Sequence, residues 1–253
     1  AIVALVMGFV LERRSPTVIL PVLLAALALQ IVSIWSFRYP LPELPRREEA
    51  APPQVLSLPK LLRKYPAFTV LLVGCALLQG GHNACNTYMI HIADKVGAGE
   101  GLMGVILAVS AFTELPAMAL FPRMHRRLSL RTLFRICAAT FVMKDLLFWA
   151  AQSPVLLYIA AVIQFFEFGI FLPACVYYVA ERLDSANQAK GQGLIHVCSN
   201  GLGPAVMTAV GGRLIDSAGI NTMLMVTTAA GFVGFLVVLA ATSRYLDKGD
   251  QGK

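Results

Sequence analysis

The sequence is short of charge and of every pattern that marks a soluble enzyme. Aspartate, glutamate, lysine and arginine make up 14% of the 253 residues against 57% apolar ones, more apolar surface than one soluble core of this length can bury. A soluble globular domain is therefore excluded, and an integral membrane protein remains. The five cysteines, Cys75, Cys85, Cys137, Cys175 and Cys198, form no CxxC pair and have no histidine at zinc spacing. Each lies alone in an apolar segment and reads as a small packing residue, so no metal is expected. There is no nucleophile elbow and no phosphate-binding loop, which argues against an enzyme and against a cofactor. The basic excess of +7 falls in short clusters between apolar runs and not on one amphipathic face, so no nucleic-acid partner is expected. Residues 1 to 11 lack the basic region of a signal peptide and cover only roughly 16 Å of a bilayer core of roughly 30 Å. They read as the end of a helix cut from a longer protein, whose missing N-terminal half becomes an expected partner.

Apolar runs of spanning length are abundant. After the polar turn Glu12 to Pro16, residues 17 to 37 are long enough for one span. Six more follow, at about 67 to 90, 102 to 121, 132 to 151, 155 to 179, 191 to 214 and 222 to 243. Between the first span and these six lies a segment with Pro40, Pro42, Pro45, Pro52, Pro53 and Pro59, which reads as a linker that packs no core. The expected fold is an all-α polytopic membrane bundle. Residues 1–37 end one helical bundle, 38–66 link, 67–243 form a six-helix bundle and 244–253 are a tail. Lysine and arginine concentrate on alternate loops: the linker, the 122 to 131 loop, the 181 to 190 loop and the tail carry 6, 4, 2 and 3 of them. By the positive-inside rule, the linker and tail are cytoplasmic and the protein sits in the plasma (inner) membrane.

Charge within a span is costly and usually marks a pathway or a buried pair. Glu114, Lys144, Asp145 and Glu167 are the clear cases. Counted along their helices, Glu114, Lys144 and Glu167 come within roughly 5 Å of the midplane, which points to one shared site. Two glutamates and an aspartate meet one lysine, so carboxylates remain whose protonation can change. Gln79, His82, Asn83 and Asn86 recur at three- and four-residue spacing and share one face, a candidate lining for a solute cavity. His82 is expected in the outer half of the membrane, after Gly80 and Gly81 loosen its helix. A second stripe, His196, Ser199, Asn200 and Gly203, lies in a helix rich in small residues that Pro204 can interrupt.

Ala111-Phe112-Thr113-Glu114-Leu115-Pro116, the arginine-rich loop after it, Gly191-Gln192-Gly193-Leu194, Gly201-Leu202-Gly203 and Gly211-Gly212-Arg213-Leu214-Ile215-Asp216 resemble the C-terminal half of a major facilitator superfamily transporter. The branch they resemble holds the lactose permease-like, nucleoside and phenylpropionate proton symporters. The resemblance implies proton-coupled symport of a small organic solute (a sugar, nucleoside or aromatic acid) across the lipid bilayer by alternating access. It implies that Glu114, Lys144 and Glu167 match an acid, a cation and an acid used for binding and coupling, with Asp145 beside them. Gln164 stands where the permease has histidine, and Lys144 replaces an arginine, which removes bidentate pairing. Gln79, His82, Asn83, Asn86, Gln164 and Asn200 are the candidate solute ligands. A membrane sensor that binds the solute without moving it is the alternative reading.

Overall fold

The computed structural model describes residues 19–36 and 55–244. The stub before residue 19, most of the proline-rich linker and the tail lie outside these residues. Among the described residues the chain is helical: α1 Ile19–Ser36, α2 Leu58–Lys64, α3 Pro66–Thr87, α4 Met89–Lys95, α5 Glu100–Arg127, α6 Leu130–Ala150, α7 Pro154–Ile163, α8 Phe168–Arg182, α9 Ser185–His196, α10 Gly203–Ala218 and α11 Ile220–Arg244. Among the described residues five stretches are long and apolar enough to cross a membrane: α3, α5, α7 with α8, α9 with α10, and α11. This is a multi-pass membrane protein. The helix α6 is 21 residues long, about 32 Å, and carries Arg131, Arg135, Lys144 and Asp145, which lower its hydropathy.

Four local differences from the sequence expectations bear on the site. The expected span 155 to 179 is broken between α7 and α8. There Phe165 and Phe166 bond back three residues, to Val162 and Ile163, and Glu167 takes φ −82° and ψ −94°. Tightened turns of this kind interrupt a helix where side chains need to leave its regular path. The expected span 191 to 214 starts earlier, at Ser185, and its interruption is a π-helical turn, Val197–Leu202. Pro204 explains it, because proline has no N–H to give the preceding turn and its ring crowds the carbonyl there. Gly80 and Gly81 do not loosen α3, which runs unbroken through them. The end of the expected linker is helical and docked. Leu61 of α2 is fully buried, Leu56 N donates to Asn187 Oδ1 at 2.9 Å, and Lys64 pairs with Asp184 at 2.5 Å. That hydrogen bond raises the Lys64 ammonium and lowers the Asp184 carboxyl from their ordinary values. The contribution of Asp184 is therefore present above its ordinary value and lost as pH falls through the lowered one.

Two apolar cores stack along the bundle. One, at the arginine-rich end, includes Phe68, Leu71, Leu78, Phe121, Phe134, Phe141, Ile170 and Phe171; the other includes Cys85, Met89, Ile106, Phe148, Ala161 and Leu224. The elements that contribute to both cores pass from one to the other through polar residues: Gln79 and His82 on α3, Ser110 and Glu114 on α5, Lys144 and Asp145 on α6, Gln164 and Glu167 at the α7–α8 break, Thr227 on α11. The fold thus sets a polar layer between two dry ones.

Close approach of α3 and α10 supports that layer. A Cβ placed on Gly203 would lie 2.1 Å from the Ala76 carbonyl oxygen, and one on Gly80 would lie 2.9 Å from the Gly203 carbonyl oxygen. Both obstacles are backbone, so the helices themselves would have to separate. Gly203→Ala is expected to destabilise the protein by about 1–3 kcal/mol as overpacking, seen as a lower unfolding temperature in detergent. Gly201 faces open space, so Gly201→Ala is the matched control and should leave that temperature unchanged.

Candidate functional site

The polar layer closes into one hydrogen-bonded cluster around Glu167. Its side chain is fully buried, held at the backbone break by the apolar helices on either side. His82 Nδ1 lies 2.8 Å from Glu167 Oε1, and Lys144 Nζ lies 3.0 Å from Oε2 in an ion pair without hydrogen-bond alignment. Lys144 Nζ also lies 3.3 Å from His82 Nδ1 and donates to Gln164 Oε1. Gln164 Nε2 passes the chain on to Glu114 Oε1 at 2.6 Å. On the far side of the imidazole, His82 Nε2 lies 2.9 Å from Asn86 Nδ2. The result is a continuous chain from half-buried Asn86, through buried His82, Glu167, Lys144 and Gln164, to half-buried Glu114.

Packing fixes the members of this chain. The His82 ring stacks on Phe168, with centroids 5.7 Å apart and planes at 8°, and meets the edge of Phe141. Lys144 Nζ sits over the Phe148 ring at 5.6 Å, a favourable placement for a cation. Gly169 brings α8 against α5: a Cβ there would stand 2.4 Å from that of Ala117.

Of the residues singled out from sequence, the structure brings Glu114, Lys144, Glu167, Gln164, His82 and Asn86 together. Lys144 lies against Glu167, and Glu114 reaches Lys144 only through Gln164. Asp145 turns away from its neighbour Lys144. Its Oδ1 accepts from Cys85 Sγ at 3.6 Å, and its Oδ2 would lie 3.1 Å from a Cβ on Gly81 and 3.2 Å from one on Gly231. The two glycines make room for this carboxyl between α3, α6 and α11. Gln79 is fully buried, accepts from Asn83 Nδ2 at its Oε1 and its backbone carbonyl, and leaves its own Nε2 unpartnered. Asn200 does not join: it is exposed on the π turn and bonds to His196 one turn earlier.

One member was not foreseen. Cys137 Sγ donates to the Glu167 carbonyl oxygen at 3.2 Å, across from the break. Its seven-residue spacing from Lys144 places both on one face of α6, a signal that reading each cysteine alone passes over.

A model of the MFS_1 like family matches residues 1–244. This chain is a member of the major facilitator superfamily. The maltose permease of Geobacillus stearothermophilus is 27% identical to this superfamily member over 185 residues, covering 73% of the chain and 47% of the permease. The "Uncharacterized transporter YwbF" of Bacillus subtilis (strain 168) is 24% identical over 170 residues, covering 67% of the chain and 41% of that protein. The chain thus spans less than half the length of the curated relatives it matches.

Proposed function

We propose that this chain carries the proton-coupling half of a secondary transporter that moves a small organic solute by alternating access, and that it is not an enzyme. The observation that carries the reading is fully buried Glu167, in contact with both Lys144 and His82 and chained through Gln164 to half-buried Glu114. A buried carboxylate that shares its cation with other hydrogen-bonding groups can change protonation with limited rearrangement. Glu167 takes the proton, Lys144 holds its carboxylate when it is ionised, and Glu114, with Gln164, is positioned to hold solute hydroxyls or a carboxylate. Asp145 stands outside this exchange in the α3–α6–α11 interface. Among the solute classes the sequence implies, the maltose permease relative favours a sugar.

The reading is tested in proteoliposomes of the protein purified from its full coding sequence. An imposed inward proton gradient should concentrate labelled maltose, or another sugar of a small panel, and collapse of that gradient by a protonophore should release it. Accumulation indifferent to the protonophore would remove proton coupling.

Asn83 and Asn86 are half-buried on the α3 face that carries His82. They line the cavity in this reading, so Asn83→Ala or Asn86→Ala is expected to weaken solute binding by about 1 kcal/mol or more, the worth of a hydrogen bond, with little change in unfolding temperature. Equal affinity in both well-expressed variants would make them interhelical contacts.

Residues 67–243 act as one six-helix half, joined through a cytoplasmic linker over 38–66 to a bundle that ends near residue 37, with the tail 244–253 also cytoplasmic. Thiol labelling of intact cells, on a background without the native cysteines, should modify Ala98→Cys and leave Glu48→Cys untouched. The reverse pattern would invert the orientation.

A further inference from the structure

Fully buried Glu167 has to receive any proton through a neighbour. Among the described residues two titratable side chains meet its carboxylate, His82 and Lys144. The route through Lys144 continues to the amide of Gln164 and then to Glu114, and a neutral amide is a poor proton carrier. The route through His82 continues from Nε2 to Asn86, which is half-buried and one turn further along α3. The groups facing the imidazole are Glu167 and Phe168 from the break and α8, Lys144 and Phe141 from α6, and Asn86 from its own helix. Glu114 of α5 reaches it only through Gln164, and Asp145 turns to Cys85.

We propose that His82 is the proton relay that loads and unloads Glu167, with Asn86 as its gate. The inference rests on Glu167 being the proton site proposed above, and it assigns His82 a role in proton transfer and not in holding solute. In the first state Nδ1–H donates to Glu167 Oε1 and Nε2 accepts from the Asn86 amide. A proton arriving from the cavity bonds to Nε2 as the Asn86 amide swings aside, and the Nδ1–H bond breaks to give its proton to Oε1. One proton has entered, Glu167 is a neutral acid, and the ring is again neutral with its hydrogen on Nε2. The Asn86 amide then turns so that its oxygen accepts from Nε2–H. In this second state Nδ1 carries no hydrogen and accepts from Oε1–H, with Lys144 3.3 Å away. Release runs the same steps backward. Two ring nitrogens with different partners are what such a transfer needs.

The test needs no solute. Purified protein from the full coding sequence, in lipid nanodiscs, is given a rapid acid pH jump, and the carboxylic-acid C=O band is followed by time-resolved infrared spectroscopy. Asp145 and Glu114 also carry carboxyls within the bundle, so the component of the band that is missing in Glu167→Gln is the one that belongs to Glu167, and that component is followed. His82→Gln keeps a donor for Oε1 but cannot relay, so the band should reach the same amplitude about a hundredfold more slowly, the lower range of general acid–base assistance. Should that variant fail to fold, His82→Ala serves: slow loading that added imidazole accelerates supports the relay, and loading at the wild-type rate overturns it. In His82→Gln, loading at the wild-type rate overturns the relay and leaves Glu167 as the proton site. A band unchanged in Glu167→Gln overturns the proton site itself, and the relay with it.

Discussion

Glu167→Gln is expected to abolish accumulation of solute against a gradient while leaving exchange of solute across the membrane close to wild type. The amide has nearly the shape of the protonated acid and can still bond His82 Nδ1, which lies 2.8 Å from Oε1. It cannot lose a proton, so the carrier is fixed in its loaded state. Exchange needs only reorientation of the loaded protein, whereas net coupled entry requires the empty, deprotonated form to return. Counterflow of labelled against unlabelled sugar in proteoliposomes reads the first step, and uptake driven by an imposed proton gradient reads the second. Loss of both together would assign Glu167 to folding or solute binding.

Lys144→Ala is expected to cause the largest loss of stability of any single change in the site. Both Lys144 and Glu167 are almost fully buried, and removing one partner of a buried pair leaves a charge without compensation, which costs about 3–5 kcal/mol. Glu114 would lose support as well, since Gln164 holds it while bonded to Lys144. The double variant Lys144→Ala with Glu167→Gln removes both charges and should recover most of the loss. Unfolding temperatures in detergent measure this, and a double variant less stable than Lys144→Ala would contradict the pairing.

Much of the site was legible because helical rise converts sequence position into depth. Glu114, Lys144 and Glu167 fall at one level by counting alone, and the fold joins them through Gln164, one turn before Glu167. Counting from Pro66 places His82 in the outer half of the membrane, and the fold sets its side chain against Glu167, a contact between α3 and the α7–α8 break that helical rise alone does not record. The break at Gln164 to Glu167 carries neither glycine nor proline, so backbone signals are silent there. It follows from side chains that must turn toward Lys144 and His82, a tertiary cause that no local pattern records. Pro204 did announce an interruption, but proline perturbs the turn before it, and the π turn at Val197–Leu202 ends just ahead of Gly203. Asp145 and Lys144 are adjacent in sequence and both charged, yet adjacent helical positions point about 100° apart, which is why one enters the cluster and the other lies between Gly81 and Gly231.

Proton movement with solute is the central claim, and it is measured most directly by following the pH of a lightly buffered suspension of de-energised vesicles as a transported sugar is added. The account predicts alkalinisation of the medium on sugar entry in the wild type and none in Glu167→Gln, even though the variant still exchanges the sugar. Sugar entry into wild-type vesicles without any pH change would contradict it.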